Sequence, residues 1–263
     1  MNILITGNRG FIGSHAVEYF SKKHTITTFE WGETFPDLTN TDIVLHFGAI
    51  SSTAEQDVGK VMRQNLDFSI ELLHKCNDQG VNLQYSSSAS VYGMKCEFAE
   101  SSSPDPRTPY AWSKYLFDRY VQTHVDQLKI KVQGFRYFNV YGEKGEEHKG
   151  DQSSPHHKFR KQAITGNIKV FENSDQYRRD FVHVSRVIDI HERFFCVDES
   201  GIWNIGTGIP TSFMDVARKI AVEYDAAITQ IPMPEHMRNA YQSYTCADLV
   251  KLNATLEKYT QKQ

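Results

Sequence analysis

Three regularly spaced glycines follow the first apolar run of the chain, and they restrict its fold more than any other feature. Asn2–Thr6 predicts a short buried strand, and Gly7, Gly10 and Gly13 come next. A helical pattern then extends to about Lys22. Glycines at a strand–helix junction permit a tight turn and let the backbone approach a pyrophosphate at the helix N-terminus. We therefore expect a parallel α/β sheet that binds a dinucleotide, with a chance glycine loop as the alternative.

An acidic residue ends the second predicted strand. Thr25–Phe29 forms that strand, and Glu30 follows about 17 positions after Gly13. A carboxylate there suits the adenosine ribose hydroxyls of NAD and would repel the 2′-phosphate of NADP. The alternative is an exposed glutamate at a strand end. The next segment, residues 31–41, is too short for a helix–strand–helix unit, so we predict that one edge strand is missing.

Hydroxyl side chains cluster after the fourth predicted strand. Asp42–Phe47 and Val81–Tyr85 predict buried strands, separated by a helix with apolar residues at a 3.6-residue period that ends near Gly80. Serines dominate the segment Ser86–Ser90 that follows. In open α/β sheets, ligands bind at the carboxyl ends of the strands. The cluster therefore indicates a ligand site, with a serine-rich turn as the alternative.

Tyr110 and Lys114 stand four positions apart in a helix that Thr108 and Pro109 should begin. At this spacing the phenol and the ammonium share one helix face. A phenolate base useful at pH 7 needs a pKa about three units below its usual value of about 10. This shift corresponds to roughly 4 kcal/mol of stabilisation of the phenolate relative to the phenol. A nearby lysine cation can supply part of that, and an oxidised nicotinamide could supply more. The alternative is a surface helix that happens to carry both residues.

The second half of the chain adds a strand and a polar loop. Ile130–Phe135 predicts a strand, and it leads into residues 136–142 and then into a polar loop over residues 143–155. The histidines of this region have no metal-binding spacing, so we predict no metal site. Ser212 and Asp215 resemble a capping box for a further helix.

Composition excludes several classes of function. The 263 residues carry a formal net charge of −3, which does not indicate a nucleic-acid partner or a membrane surface. The apolar run Ile3–Ile5 is too short for a signal sequence or a membrane span. The four cysteines are isolated in sequence, which predicts reduced thiols and a cytoplasmic protein.

The glycine loop, the serine cluster and the Tyr-x-x-x-Lys motif together resemble the extended short-chain dehydrogenase/reductase superfamily, specifically its nucleotide-sugar enzymes. The segments Arg136–Gly142, His148–Gly150 and Arg179–Val182 are similar to the ADP-glycero-manno-heptose 6-epimerase family. This resemblance covers nearly the whole chain. It implies an NAD-dependent epimerase that transiently oxidises a nucleotide-sugar. The family's lysine for the NADP 2′-phosphate falls in the segment missing here, which favours NAD over NADP.

The resemblance also implies roles for particular residues. Ser88, Tyr110 and Lys114 correspond to the catalytic triad, and Lys149 corresponds to a second base. Residues of the glycine loop, the strand ends and the catalytic helix should bind the cofactor: Gly7, Arg9, Gly10, Phe11, Ile12, Gly13, Glu30, Phe47, Gly48, Ala49, Asn65, Ser86, Tyr110, Lys114 and Tyr137. Residues of the facing loops should bind the substrate: Ser51, Ser52, Thr53, Ser88, Asn139, His148, Lys149, Phe171, Arg179 and Tyr241.

The fold expected from this resemblance is a Rossmann-type doubly wound parallel sheet with one edge strand missing and a smaller C-terminal substrate lobe. We expect residues 1–142 plus about 176–200 to bind NAD, and about 143–175 plus 201–263 to bind the nucleotide-sugar. Apolar helices at 58–76 and 110–128 suggest a homo-oligomer. The alternatives are a nucleotide-sugar 4-epimerase or reductase of the same superfamily and a non-catalytic dinucleotide sensor.

Overall fold

The computed structural model describes residues 1–235 and 242–260, which form eleven strands. In chain order the strands are β1 (Asn2–Thr6), β2 (Thr25–Phe29), β3 (Ile43–His46), β4 (Asn82–Ser88), β5 (Val132–Tyr137), β6 (Asn139–Tyr141), β7 (Asn167–Phe171), β8 (Arg178–His183), β9 (Gly201–Ile205), β10 (Pro210–Ser212) and β11 (Ala227–Ile231).

The α-helices cover both faces of the larger sheet and one side of the smaller sheets. They are α1 (Phe11–Phe20), α2 (Val58–Val61), α3 (Phe68–Gln79), α4 (Pro109–His124), α5 (Pro155–Ala163), α6 (Val184–Arg193), α7 (Phe213–Tyr224) and α8 (Val250–Thr260). A π-helical turn, Met62–Asp67, joins α2 to α3. Gly80 ends α3 in the left-handed region (φ 72°), as the sequence predicted.

The large sheet has six parallel strands in the order β2-β1-β3-β4-β5-β9. Its strand direction and its helices on both faces confirm the predicted Rossmann-type fold. The chain order reverses on either side of β1, since β2 and β3 flank it. Such a reversal opens a crevice at the carboxyl ends of the strands. The glycine loop between β1 and α1 lies at this crevice.

The predicted loss of an edge strand is confirmed, because β2 pairs only with β1 and forms the edge. The segment after β2 packs on the sheet instead of joining it. Leu38 is buried there, and Phe35 contacts Phe29 with ring centroids 5.1 Å apart. The chain therefore covers this side of the sheet with a few apolar side chains and without a further strand.

A smaller unit contains a three-stranded sheet, β10-β8-β6, and a two-stranded sheet, β11-β7. Helices α5 and α7 pack on it around Phe159, Ile168 and Ile220. Strands β6, β10 and β11 were not predicted from the sequence, because strands of three to five residues with half-exposed patterns give little periodicity.

Strand β9 does not belong to the unit that the predicted domain boundaries gave it. We assigned residues 201–263 to the smaller lobe, whereas β9 pairs with β5 in the large sheet. Trp203 of β9 and Leu252 of α8 lie in one apolar cluster behind that sheet. This side of β5 is buried. The parallel strand β9 hydrogen-bonds its backbone, and helix α8 covers the apolar face of the sheet there.

Among the described residues, no helix combines the length and the apolar character needed to cross a bilayer.

Candidate active site

Two cavities meet at the glycine loop. The larger has a volume of about 630 Å³ and lies at the carboxyl ends of β1, β4 and β5. The smaller, of about 170 Å³, lies between the ends of β1 and β2 and the start of the β3–α2 loop. Predicted cofactor residues line both cavities. The larger cavity is lined by Gly7, Arg9, Gly10, Phe11, Ile12, Gly13, Phe47, Ala49, Tyr110 and Tyr137. The smaller cavity is lined by Gly7, Glu30, Gly48 and Ala49.

The glycine loop is packed too closely for side chains at two positions. Gly7 has φ 71°, and a Cβ atom there would lie 2.5 Å from the Gly48 backbone. A Cβ atom on Gly13 would lie 2.0 Å from the Gly7 carbonyl oxygen. These contacts let α1 start close against the end of β1, so that its first N–H groups face the cavity. The loop is therefore built for close approach of a ligand to backbone.

The carboxylate of Glu30 closes the smaller cavity. Its Oε1 atom accepts a hydrogen bond from the Arg9 backbone N–H at 2.6 Å. The Arg9 guanidinium donates to Glu33 Oε1 at 2.6 Å, on the surface beside it. Two carboxylates thus lie where β2 ends, and one of them engages the nearest cation.

Helix α4 begins as the sequence predicted and presents Tyr110 to the larger cavity. The Thr108 hydroxyl accepts from the Ala111 backbone N–H at 3.1 Å, and Pro109 occupies the first helical position. Ser88, at the end of β4, lines the same cavity and hydrogen-bonds Tyr110. Lys114 lies one turn further along, with Nζ 5.9 Å from the Tyr110 ring centroid. The three predicted residues are therefore brought together.

The electrostatics of this group differ from the sequence argument. Burial raises the pKa of Tyr110, and the hydrogen bond with Ser88 offsets only part of that effect. Burial also lowers the pKa of Lys114 to about 8, against the opposing charge of Asp118. The ammonium donates to the Ser86 carbonyl oxygen at 2.7 Å. The expected lowering of the Tyr110 pKa is thus absent in the protein alone, because loss of hydration on burial outweighs the hydrogen bond with Ser88.

Asn65 fixes the loop after β3 against the catalytic helix. Its side chain accepts from the Ile50 N–H at 2.8 Å and donates to the Ile50 carbonyl at 2.9 Å and to Ser113 Oγ at 3.1 Å. Asn65 lies in the π-helical turn, and such turns are frequent at functional sites. The residue therefore holds the cavity wall and does not line the cavity itself.

Lys149 lines the larger cavity together with Tyr110, Ser88 and Asn139. Its ammonium donates to Glu146 Oε2 at 3.0 Å and lies 4.6 Å from the centroid of the Phe11 ring. Glu146, which no sequence pattern singled out, is fully buried. Burial alone would raise the pKa of this carboxyl, but hydrogen bonds from Ser154 and the charge of Lys149 together outweigh burial, so the pKa is lowered from its ordinary value. The burial of Glu146 beside the predicted second base, Lys149, could not be predicted from the sequence alone.

The other predicted substrate residues are dispersed. Ser51 lines the larger cavity, and Thr53 reaches the rim, where its hydroxyl donates to Gln152 Oε1 at 3.4 Å. Ser52 Oγ instead accepts from the Ala54 N–H. Phe171 ends β7 in the smaller unit, outside the cavity lining. The backbone of His148 lies beside Lys149, and Tyr241 lies outside the described residues.

Arg179 also lies away from the cavity lining. Its guanidinium donates to the carbonyls of Arg178 and Gln242 and stacks 5.4 Å from the Phe213 ring centroid. The neighbouring Asp180 is fully buried and accepts from Thr207, Gly208 and Ala247. This part of the motif therefore ties the smaller unit to the segments after β9. Within residues 1–235 and 242–260, no cluster of three or more His, Cys, Asp or Glu side chains could hold a metal ion.

Comparison with known proteins agrees with this geometry. Residues 3–206 match the model of the NAD dependent epimerase/dehydratase family. The chain is 36% identical to the ADP-L-glycero-D-manno-heptose-6-epimerase of Alkalilimnicola ehrlichii, in an alignment that covers 96% of this chain and 90% of that protein.

Solved structures share the fold. UDP-glucose 4-epimerase of Thermotoga maritima, solved with UDP-glucose, superposes with a TM-score of 0.84 at 23% identity over 98% of this chain and 93% of that one. The ADP-L-glycero-D-manno-heptose-6-epimerase of Helicobacter pylori gives a TM-score of 0.76 at 22% identity over 99% and 95%. With the family model matching more than three quarters of its length, the chain belongs to the NAD-dependent epimerase/dehydratase family, a family of enzymes.

Proposed function

We propose that the chain epimerises a carbinol carbon of a nucleotide-sugar, and specifically an ADP-glycero-manno-heptose. One observation carries the proposal: Ser88, Tyr110 and Lys149 line the same cavity beside the glycine loop. The 36% identical 6-epimerase supports this choice of sugar nucleotide. A bound dinucleotide would supply the acceptor and donor of hydride, and the residues of this chain would move the protons.

Tyr110 would take the proton of the reacting hydroxyl when hydride leaves, and would return a proton when hydride comes back. Ser88, already hydrogen-bonded to Tyr110, would bind the same substrate oxygen. Burial raises the pKa of Tyr110 in the protein alone. The positive charge of an oxidised nicotinamide would act in the opposite direction, as would the Lys114 ammonium. Proton removal is therefore expected to be effective only after the dinucleotide has bound.

Lys149 would donate the proton when the sugar lies in its second orientation, with the other face of the carbon toward the nicotinamide. Inversion requires hydride to leave one face of the carbon and return to the other, and one phenol is well placed for only one of these orientations. Glu146 keeps the Lys149 ammonium hydrogen-bonded at the cavity wall, so it can act as an acid toward a ketone oxygen. The alternative role is to neutralise the diphosphate of the substrate.

NAD is the cofactor that the smaller cavity favours. Glu30 lines this cavity and Glu33 engages the Arg9 guanidinium nearby. A 2′-phosphate at this position would face two carboxylates, whereas ribose hydroxyls could donate to them. We therefore propose NAD over NADP.

The test is turnover. The purified chain is incubated with ADP-D-glycero-D-manno-heptose, and the appearance of the 6-epimer is followed by proton NMR, with UDP-glucose as the competing substrate. Epimerisation of the ADP-heptose at least a hundred times faster than that of UDP-glucose supports the proposal. Preference for UDP-glucose would favour a nucleotide-sugar 4-epimerase, which shares the fold. A chain that binds NAD but turns over neither would favour a dinucleotide sensor.

A homo-oligomer is also proposed. Val58 is exposed on α2, and Trp112 and Leu116 are exposed on α4, the helix that carries Tyr110. Burial of these side chains against a second copy would remove apolar surface from water. Sedimentation analysis tests this, and a monomer at micromolar concentration would contradict it. A cytoplasmic location stays a prediction of the cysteine pattern.

A further inference from the structure

Two histidines are buried behind the cavity, and neither has a place in the chemistry above. His46 ends β3 and His191 lies on α6. Burial lowers the pKa of each to about 3, so both are neutral near pH 7. A neutral imidazole carries one N–H, and the partners of its two nitrogens decide which nitrogen holds it.

Both nitrogens of His191 have close polar partners. Its Nδ1 atom lies 2.6 Å from Gln84 Oε1, and its Nε2 atom lies 2.6 Å from the Tyr137 hydroxyl. The rings of Phe47 and Phe135 pack edge-on against the imidazole, with centroids 5.0 and 4.6 Å away. The imidazole is thus enclosed, and only these two hydrogen bonds can orient its proton.

Two backbone carbonyls determine that orientation through a chain of amides. Gln133 Nε2 donates to the carbonyls of Val197 and Glu199 at 3.0 and 3.1 Å, which fixes the orientation of its amide. Its oxygen then faces Gln84, whose Nε2 donates to it at 2.9 Å. Gln84 Oε1 must therefore be the atom that faces His191. Because this oxygen can only accept, the proton of the imidazole lies on Nδ1.

The tautomer of His191 determines the hydrogen-bonding role of Tyr137 in the larger cavity. Unprotonated Nε2 of His191 can only accept, so the Tyr137 hydroxyl donates its proton to it. Tyr137 lines the larger cavity beside Tyr110. Its oxygen accepts from Ser86 Oγ at 3.3 Å and therefore offers its remaining lone pair, and no proton, to whatever the cavity holds.

We propose that Tyr137 is a hydrogen-bond acceptor of fixed polarity that receives a donor from the nicotinamide riboside half of the bound dinucleotide, with His191 and Gln84 as positioning residues. The donor is an amide N–H or a ribose hydroxyl. The same polarity excludes Tyr137 as a proton donor in the reaction, although it is a phenol in the same cavity as Tyr110.

His46 supplies an internal reference because its network has the opposite polarity. The Ser69 hydroxyl donates to the Asn65 carbonyl at 2.5 Å, so its oxygen accepts from His46 Nε2 at 2.9 Å. The Thr6 hydroxyl lies 2.6 Å from His46 Nδ1 and must donate to it. His46 is thus expected as the Nε2–H tautomer, and His191 as the Nδ1–H tautomer.

The first test is ¹⁵N NMR of the full chain labelled at histidine, with signals assigned from His46 and His191 variants. Opposite neutral tautomers for the two buried rings support the proposal. An Nε2–H tautomer or a protonated ring for His191 at pH 7 would overturn it. Y137F should keep the Nδ1–H tautomer because Gln84 sets it, whereas Q84L should lose it. A retained Nδ1–H signal in a folded Q84L chain would remove Gln84 from the positioning role.

The second test measures binding of NAD and of its 3-acetylpyridine analogue, which replaces the amide NH₂ by a methyl group. If the donor is the amide, Y137F should weaken NAD about fivefold and leave the analogue unchanged, as expected for one neutral hydrogen bond. Equal weakening of both dinucleotides would identify a ribose hydroxyl as the donor. Unchanged binding of both would overturn the acceptor role.

Discussion

The Lys149 ammonium is held by the buried carboxylate of Glu146, with Nζ and Oε2 3.0 Å apart at the wall of the larger cavity. Lys149 keeps 20% of its side chain exposed there, whereas the Glu146 side chain has no exposed surface. The Ser154 hydroxyl and N–H both donate to the same carboxylate at 2.7 Å. The pair thus holds a charged ammonium at the cavity wall and fixes the loop that carries it.

The first prediction concerns Lys149→Met. If Lys149 is the second acid–base group, kcat for epimerisation should fall by about 10²- to 10⁴-fold. A half-reaction that uses a single orientation, such as dismutation of an aldehyde analogue of the sugar, should persist. Steady-state kinetics of both reactions decide this. A raised KM with unchanged kcat would mean that Lys149 only binds the diphosphate.

Lys144→Met is the matched control for that variant. Lys144 lies in the same loop and forms an ion pair with Glu18, but its side chain is 69% exposed and lies outside the cavity. Its kinetics should stay within a factor of two of the parent chain. A large effect of Lys144→Met would show that loop charge, and not the cavity position, controls turnover.

The second prediction concerns Tyr110→Phe. Removal of this hydroxyl should lower kcat by about 10²- to 10⁴-fold, because the other phenol that lines the cavity, Tyr137, already donates its proton to His191 Nε2. The fold and dinucleotide affinity should be retained. Tyr115→Phe, on the same helix and outside the cavity, is the control. Turnover near that of the parent chain in Tyr110→Phe would refute the role of the phenol.

The third prediction concerns the cofactor. NAD should bind at least about tenfold more tightly than NADP, a difference of about 1.4 kcal/mol. Glu30→Ala should reduce this ratio, since it removes the carboxylate that lines the smaller cavity. Glu71→Ala, on the exposed face of α3, should leave the ratio unchanged. Calorimetric titration of each chain with both dinucleotides is the measurement, and tighter NADP binding by the parent chain would contradict the assignment.

The fourth prediction concerns acid stability. His46 and His191 have pKa values of about 3 in the folded chain, below the ordinary value of about 6.5. The unfolded chain therefore binds more protons than the folded chain below pH 6.5, so stability falls as pH falls. Each histidine should cost about 2 kcal/mol between pH 6.5 and 5, at about 1.4 kcal/mol per pH unit.

Urea unfolding at pH 7 and pH 5 measures this loss, which should be about 4 kcal/mol for the two residues. His156, whose pKa burial lowers to about 4, acts in the same direction. Because all three histidines then contribute similarly, His191→Phe should remove about a third of this pH dependence. A free energy of unfolding that is equal at both pH values would contradict the buried neutral state of these histidines.

The fifth prediction concerns the ion pair behind the serine cluster. Asp118 is fully buried and accepts from Arg136 Nε, Ser87 Oγ and the Tyr85 hydroxyl at 2.9, 2.9 and 3.0 Å. Asp118→Ala leaves the buried guanidinium uncompensated and should cost about 3–5 kcal/mol of unfolding free energy. Asp189→Ala breaks the surface pair with Arg193 and should cost under about 1 kcal/mol. Equal effects of the two variants would show that burial does not decide the cost.

The sequence by itself determined the first half of the fold. The glycine spacing, the Thr108–Pro109 start and the left-handed Gly80 are local signals, because each depends on the backbone of a few neighbouring residues. The absence of an edge strand could also be predicted from the sequence, since the eleven residues 31–41 are too few for a helix–strand–helix unit. The strand pattern placed the serine cluster at the sheet edge, whereas the resemblance to the superfamily joined Ser88 to Tyr110 before any contact between them was known.

Only the tertiary structure decided which distant groups meet. Glu146 could be identified as a buried partner of Lys149 only once the loop was packed against Phe11. The polarity of Tyr137 depends on Gln84, Gln133 and His191, which come from three separate elements. Burial also reversed the expected pKa shift of Tyr110, because the loss of hydration is a property of the packed site and not of the i,i+4 spacing. Short strands such as β10, and the pairing of β9 with β5, likewise form because long-range partners satisfy their backbones.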